Sequence, residues 1–195
     1  APLERLLDEV TARGCEQHEP DWLAQRRRSL ERPGRGAAGR PWGWKEPNTH
    51  VVLDRLDRHL DGLRYVHVAR SGLDMALSAN QNQARLWGPV LGVGDASTPA
   101  GSLRVWRAAH ERVLAIGERM GDRFLFLRYE DLCAQPVPTI ARLLRFAGHD
   151  DPTGAAVRLA PAIRPATGIG RARDAEPFDP DDVAYVAGLG FAVPA

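Results

Sequence analysis

The sequence predicts an α/β fold, with parallel strands joined by helices. Three observations carry that expectation. Tyr65–Ala69 is a run of β-formers and small apolar residues that ends in Arg70, Ser71 and Gly72, a strand leading through a turn into a helix. Phe124–Arg128 is a nearly continuous apolar run of the kind that a parallel strand buried on both faces requires. Between and beyond them, apolar residues recur at helical spacing.

The totals set the frame. At 195 residues the chain is long enough for one domain with a substantial core, and a single domain over 1–195 is expected. With 44% hydrophobic and 26% charged residues the composition is that of an ordinary globular protein. A net charge of +1 creates no global field for nucleic acid or an anionic membrane, so an anion site has to be local. No apolar run approaches the roughly 20 residues that span a bilayer. Cys15 and Cys133 are far apart and in no metal-ligand spacing, which fits a reducing compartment; a cytoplasmic location is expected. Of the 26 basic residues only Lys45 is a lysine. A compact ammonium in an arginine-rich chain marks a place where a point charge on a flexible stem is of use, or else a chance survivor.

In chain order, residues 2–13 read as a helix with Leu3, Leu6, Leu7 and Val10 on one face, stopped at Gly14. Cys15–Pro20 is a polar turn in which Glu16 and Glu19 flank His18. A general base can come from such a cluster, although spacing alone favours a solvated loop. Residues 21–30 read as a short basic helix, and 31–41 as a Gly/Pro/Arg loop. Trp42–Lys45 reads as a short strand closed by Pro47, which puts Lys45 at its C-terminal end. In open α/β sheets that edge carries the ligand site. Asn48 or Thr49 caps a helix over about 49–62 with Val52, Leu53, Leu56, Leu60 and Leu63 inward, and His50 is a weak candidate base in its first turn.

The unit Tyr65–Ser78 repeats the strand-to-helix geometry. Ser71 caps the helix, Gly72 permits the turn, and the helix runs to about Trp87. A helix N-terminus beyond a strand end offers free N–H groups to an anion. Arg70 adds a planar fork suited to phosphate, and Ser78 a hydroxyl two turns on. The alternative is that Arg70 simply pairs with Asp74. His67 falls on the face opposite Arg70 as a core or interface histidine. Residues 88–101 read as a long mobile loop, Ser102 as the cap of a helix to Gly117, and Pro136 and Pro138 as the start of a helix with Ile140, Leu143, Leu144 and Phe146 inward and Gly148 as its stop. The tail 161–180 is irregular, with Gly168, Gly170, Arg164, Arg171 and Arg173, and 180–188 form a last short helix.

Together these segments resemble the sulfotransferases that use 3′-phosphoadenosine 5′-phosphosulfate (PAPS). Tyr65–Ser78 is similar to the family's 3′-phosphate motif, a strand ending in Arg with Ser eight residues on. Trp42–Pro47 resembles the segment that holds a lysine near the transferred sulfonate in bacterial members. Leu127–Leu132, with the helix that follows, resembles the second core strand and helix, and Ile163–Arg173 the C-terminal nucleotide loop. The resemblance implies a three-layer parallel sheet with flanking helices, similar to the P-loop nucleotide kinases, and metal-free in-line transfer of a sulfonate to a hydroxyl or amine. It implies that Arg70, Ser78, Tyr129, Gly170 and Arg171 bind PAPS or its product 3′,5′-adenosine bisphosphate (PAP), and that Lys45 sits by the sulfonate. Glu16, His18 or Glu19 would act as base, with His50 behind them.

Two positions depart from the pattern. Ser71 stands where Asp is common, and Leu73 where Arg is common. The family opens with a strand and a glycine-rich loop for the 5′-phosphosulfate, and no such unit precedes residue 42. Either that unit lies upstream of Ala1, in which case a form extended upstream is expected to be the active one, or half of the cofactor site has been lost. A nucleotide-binding or interaction protein without catalysis is the competing class. A small-molecule kinase is disfavoured, since no GxxxxGK[ST] motif is present. The acceptor, whether small molecule, lipid, glycan or peptide, is not encoded in any motif.

Overall fold

The computed structural model describes residues 43–174 and 178–194. The expected helices over 2–13 and 21–30, and the turn with Glu16, His18 and Glu19, lie outside the described residues. The chain divides into two compact units, residues 1–46 and 47–195.

In the first unit the described residues are 43–46, and they form no strand, so the strand expected to end at Lys45 is not found there. Gly43, Trp44 and Lys45 are exposed.

In the second unit the elements follow in the order α1 (Thr49–His59), β1 (Tyr65–Ala69), α2 (Gly72–Ala76), α3 (Asn82–Trp87), α4 (Pro99–Met120), β2 (Phe124–Arg128), α5 (Tyr129–Ala134), α6 (Pro136–Phe146), α7 (Pro152–Leu159) and α8 (Pro180–Gly188). The two described strands pair in parallel, Tyr65 opposite Phe124 through Ala69 opposite Arg128. Both therefore deliver their C-terminal residues to the same edge.

Helix α4 is the spine. Thr98 caps it by accepting from Gly101 N–H at 3.0 Å, Pro99 occupies the first turn where no N–H is needed, and Gly121 follows its end with φ +56°. The cap expected at Ser102 is thus four residues late. Ser102 is buried within the first turns and donates to the Ala96 carbonyl. One stripe of α4 buries Leu103 and Trp106 against β1, α2 and α8. Further along, Val113, Ile116 and Met120 pack on Leu53 of α1. Val52, placed inward by periodicity, is exposed.

The long helix expected from Ser71 to Trp87 is two helices. The Gln81 side-chain amide donates to the carbonyls of Met75, Ala76 and Ser78 at 3.1, 3.0 and 2.6 Å, satisfying the helix C-terminus sideways and breaking the run. Residues 88–98 are also less open than expected, with a 3₁₀ turn at Pro89–Leu91 and an Asp95 carboxylate that accepts from Ser97 N–H and Oγ–H. Helix α7 was not foreseen, although Asp151 caps it with the usual Asp-Pro start.

Gly72 has an ordinary φ, so the turn is not what requires glycine. Close approach does: a Cβ there would lie 2.7 Å from the Trp106 ring and 3.0 Å from Leu103 Cδ1. Gly72→Ala is expected to overpack this contact at a cost of about 1–3 kcal/mol. Thermal denaturation should read that as a midpoint lowered by several degrees, and an unchanged midpoint would contradict the packing.

Candidate functional site

The parallel register sets Arg70 and Tyr129 side by side as they leave β1 and β2. The turn after β1 is pinned from two sides. Trp106 Nε1–H donates to the Arg70 carbonyl at 3.1 Å, and Ser71 N–H donates to Glu130 Oε1 at 2.9 Å. Ser71 makes no side-chain cap, contrary to the expectation; the Glu130 carboxylate takes its amide instead. Arg70 projects from this turn with Nε and Nη2 buried and, among the described residues, without a hydrogen-bond partner. Its Nη2 lies 4.0 Å from Asp74 Oδ2, the outer limit of an ion pair. Glu130 Oε2 is also buried and unpartnered. Two buried guanidinium nitrogens from which no described residue accepts are costly unless something accepts from them.

Asp74, only 3% exposed, takes its hydrogen bonds from the C-terminal loop. Its Oδ2 accepts Gly170 N–H at 2.7 Å and its Oδ1 accepts Ala172 N–H at 3.2 Å. Arg171 Nη1 donates to the Leu77 carbonyl just past α2 at 3.0 Å, and Tyr129 Oη donates to the Arg164 carbonyl at 3.1 Å. Gly170 has φ +79°, a backbone that favours glycine and that lets the amides of 170 and 172 reach one carboxylate. Loop 163–172 is thus tied to α2 and to the start of α5. The Tyr129 hydroxyl is held above its ordinary pKa, first by Cys133, while the Arg70 charge pulls it down.

Of the residues singled out from sequence, Arg70, Tyr129, Gly170 and Arg171 come together around α2. Ser78 lies beyond the end of that helix rather than two turns along it, and its Oγ accepts Asn80 N–H at 3.3 Å. Lys45 belongs to the other unit, and Glu16 and His18 fall outside the described residues. His50 donates from Nδ1 to the Pro47 carbonyl at 2.8 Å, and burial lowers its pKa. Asp74, Glu130 and Trp106 were not foreseen as parts of the site. Their partners are 36 to 98 residues away, so no local spacing announces them.

Behind the strands, His67 and His110 meet edge to face with ring centroids 5.0 Å apart, and His110 stacks on Trp106 at 3.9 Å. Burial pushes His67 down to about 3, helped by repulsion from His110 and His50. Burial also pushes His110 down to about 4, against the opposing effect of its bond to the Trp106 carbonyl. Both are neutral core residues in the fold and ordinary bases when unfolded. A depressed folded pKa gives stability that is complete above the unfolded value near 6.5 and is lost as pH falls below it. Unfolding free energy is expected to drop by ~2 kcal/mol between pH 6.5 and 5, after allowing for relaxation around the rings. Denaturant titrations at several pH values check this, and His67→Phe should flatten the slope.

A sequence model described as "Sulfotransferase family" matches residues 3–152. No curated protein matches the chain. A solved structure, the sulfotransferase domain from the Synechococcus PCC 7002 olefin synthase, is similar with a TM-score of 0.52 at 20% identity. The similarity covers 77% of this chain and 58% of that one, so the chain spans little more than half of that domain's length. No helix among the described residues is long and apolar enough to cross a membrane. The match over residues 3–152 is most of the chain, and the protein belongs to the sulfotransferase family.

Proposed function

We propose that this protein transfers a sulfonate group from PAPS to a hydroxyl or amine acceptor. The observation that carries the nucleotide reading is Arg70, whose buried Nε and Nη2 have no hydrogen-bond partner at the C-terminal end of β1. Vacant guanidinium donors fit a phosphate. In this reading Arg70 and Ser78 hold the 3′-phosphate, Gly170 and Arg171 close over it from the C-terminal loop, and Tyr129 bounds the nucleotide from the β2 side. Lys45 stands by the sulfonate, where its ammonium offsets charge developing on the leaving oxygen. Glu16, His18, Glu19 or His50 takes the acceptor proton. Bound PAPS supplies the activated sulfonate and a bisphosphate leaving group. The same reading makes 1–195 one sulfotransferase-like domain, with β1 and β2 part of a wider parallel sheet covered by helices on both faces. In the same reading the acceptor is a small molecule, lipid, glycan or peptide, and the protein works in the bacterial cytoplasm.

A binding protein without transfer is the second reading. It is favoured by Ser71 N–H and Arg171, which are committed to Glu130 and Leu77 rather than left open. Mass spectrometry of reactions containing PAPS and a panel of alcohols, phenols and amines separates the two. Protein-dependent formation of PAP together with a sulfonated product supports transfer. Tight nucleotide binding with no product from any acceptor supports the second reading.

A further inference from the structure

We propose that Asp74 is a positioning residue contested by two sets of donors, so that docking of the C-terminal loop is what leaves Arg70 open to an anion. The ligand half of this rests on the reading of Arg70 as a phosphate site; the contest itself does not.

A carboxylate as buried as Asp74 has to be satisfied by donors. Two sets are within reach. One is the pair of amides from Gly170 and Ala172, at 2.7 and 3.2 Å. The other is the guanidinium of Arg70, four residues earlier, with Nη2 at 4.0 Å from Oδ2. In the docked arrangement the amides hold the carboxylate, and Arg70 Nε and Nη2 have no hydrogen-bond partner. A closure of about 1 Å would bring Nη2 to charge-assisted hydrogen-bond distance. Arg70 is therefore the donor ready to replace the amides when the loop lifts. Once paired with Asp74, Arg70 presents less charge and fewer donors to a phosphate. Loop docking and anion binding at Arg70 consequently favour one another, and the coupling is reciprocal.

The contest can be read in the ligand-free protein by amide hydrogen exchange. The amides of Gly170 and Ala172 report loop opening, and that of Ile116 in α4 reports global stability. Asp74→Asn, which turns a donor toward one of the two amides, is expected to speed exchange at both by at least ~10-fold relative to Ile116. Arg70→Ala removes the competitor and should slow exchange at the same two amides by ~3- to 10-fold relative to Ile116. That opposite sign is what a merely structural Asp74 does not produce. Exchange that is unchanged or faster in Arg70→Ala overturns the proposal, whether or not Asp74→Asn folds. Adding PAP to the wild-type protein should further protect the two amides, with the gain reduced in Asp74→Asn. Absence of PAP binding by the wild type counts against the nucleotide reading, while the ligand-free comparison still decides the contest.

Discussion

Replacing Arg70 by alanine is expected to weaken PAP binding by ~30- to 1,000-fold, or ~2–4 kcal/mol, the scale of a pair of charge-assisted hydrogen bonds. Affinity for 5′-AMP, which lacks the 3′-phosphate, should change little. The size follows from the state of the side chain. Its Nε and Nη2 are already buried without partners, so a phosphate gains donors that have been desolvated in advance. The backbone of the residue is anchored independently, its carbonyl accepting from Trp106, so truncation should leave the turn in place. Calorimetric titration of both nucleotides against both proteins gives the answer. An equal loss for PAP and 5′-AMP would place Arg70 elsewhere on the nucleotide.

Lys45→Arg is expected to preserve nucleotide affinity while lowering turnover by ~10²-fold or more, about the loss of one transition-state donor. The substitution keeps the charge, so a general attraction for the nucleotide survives. What changes is where the charge can go. An ammonium is a compact point on a flexible stem, whereas guanidinium spreads its charge over a plane and does not follow the leaving oxygen in the same way. That this chain, with 26 basic residues, has lysine only at position 45 is the motive for the test. Single-turnover rates at saturating donor separate chemistry from binding. If Lys45 is an exposed side chain and nothing more, the arginine variant keeps the wild-type rate.

Strand β1 was legible to the residue because its β-formers stop at Arg70, and β2 because its apolar run has no helical period. The last helix, expected over 180–188, is found at Pro180–Gly188, where Asp179 caps it by accepting from Asp181 N–H. What was lost depended on side chains acting on the backbone. Gln81 breaks a helix that propensity alone would continue, and Thr98 moves the start of α4 ahead of the serine that looked like its cap. The segment before Pro47 shows the limit of composition. Its two tryptophans suggest a strand, yet Gly43–Glu46 form none. Within the site, Arg70 and the glycine-arginine pair at 170–171 were visible as residue types suited to phosphate. The carboxylate between them was visible only as a possible partner of Arg70. Its bonds to Gly170 and Ala172 span 96 and 98 residues, and only the folded chain reveals that Asp74 faces the loop.

In the proposed function the edge beyond β1 recognises the 3′-phosphate of the donor nucleotide. Isothermal titration of the wild-type protein with PAP and, separately, with 5′-AMP tests it most directly. PAP should bind at least ~10-fold more tightly, since it alone can engage the vacant guanidinium donors. Equal affinities would contradict the assignment of this edge to the 3′-phosphate.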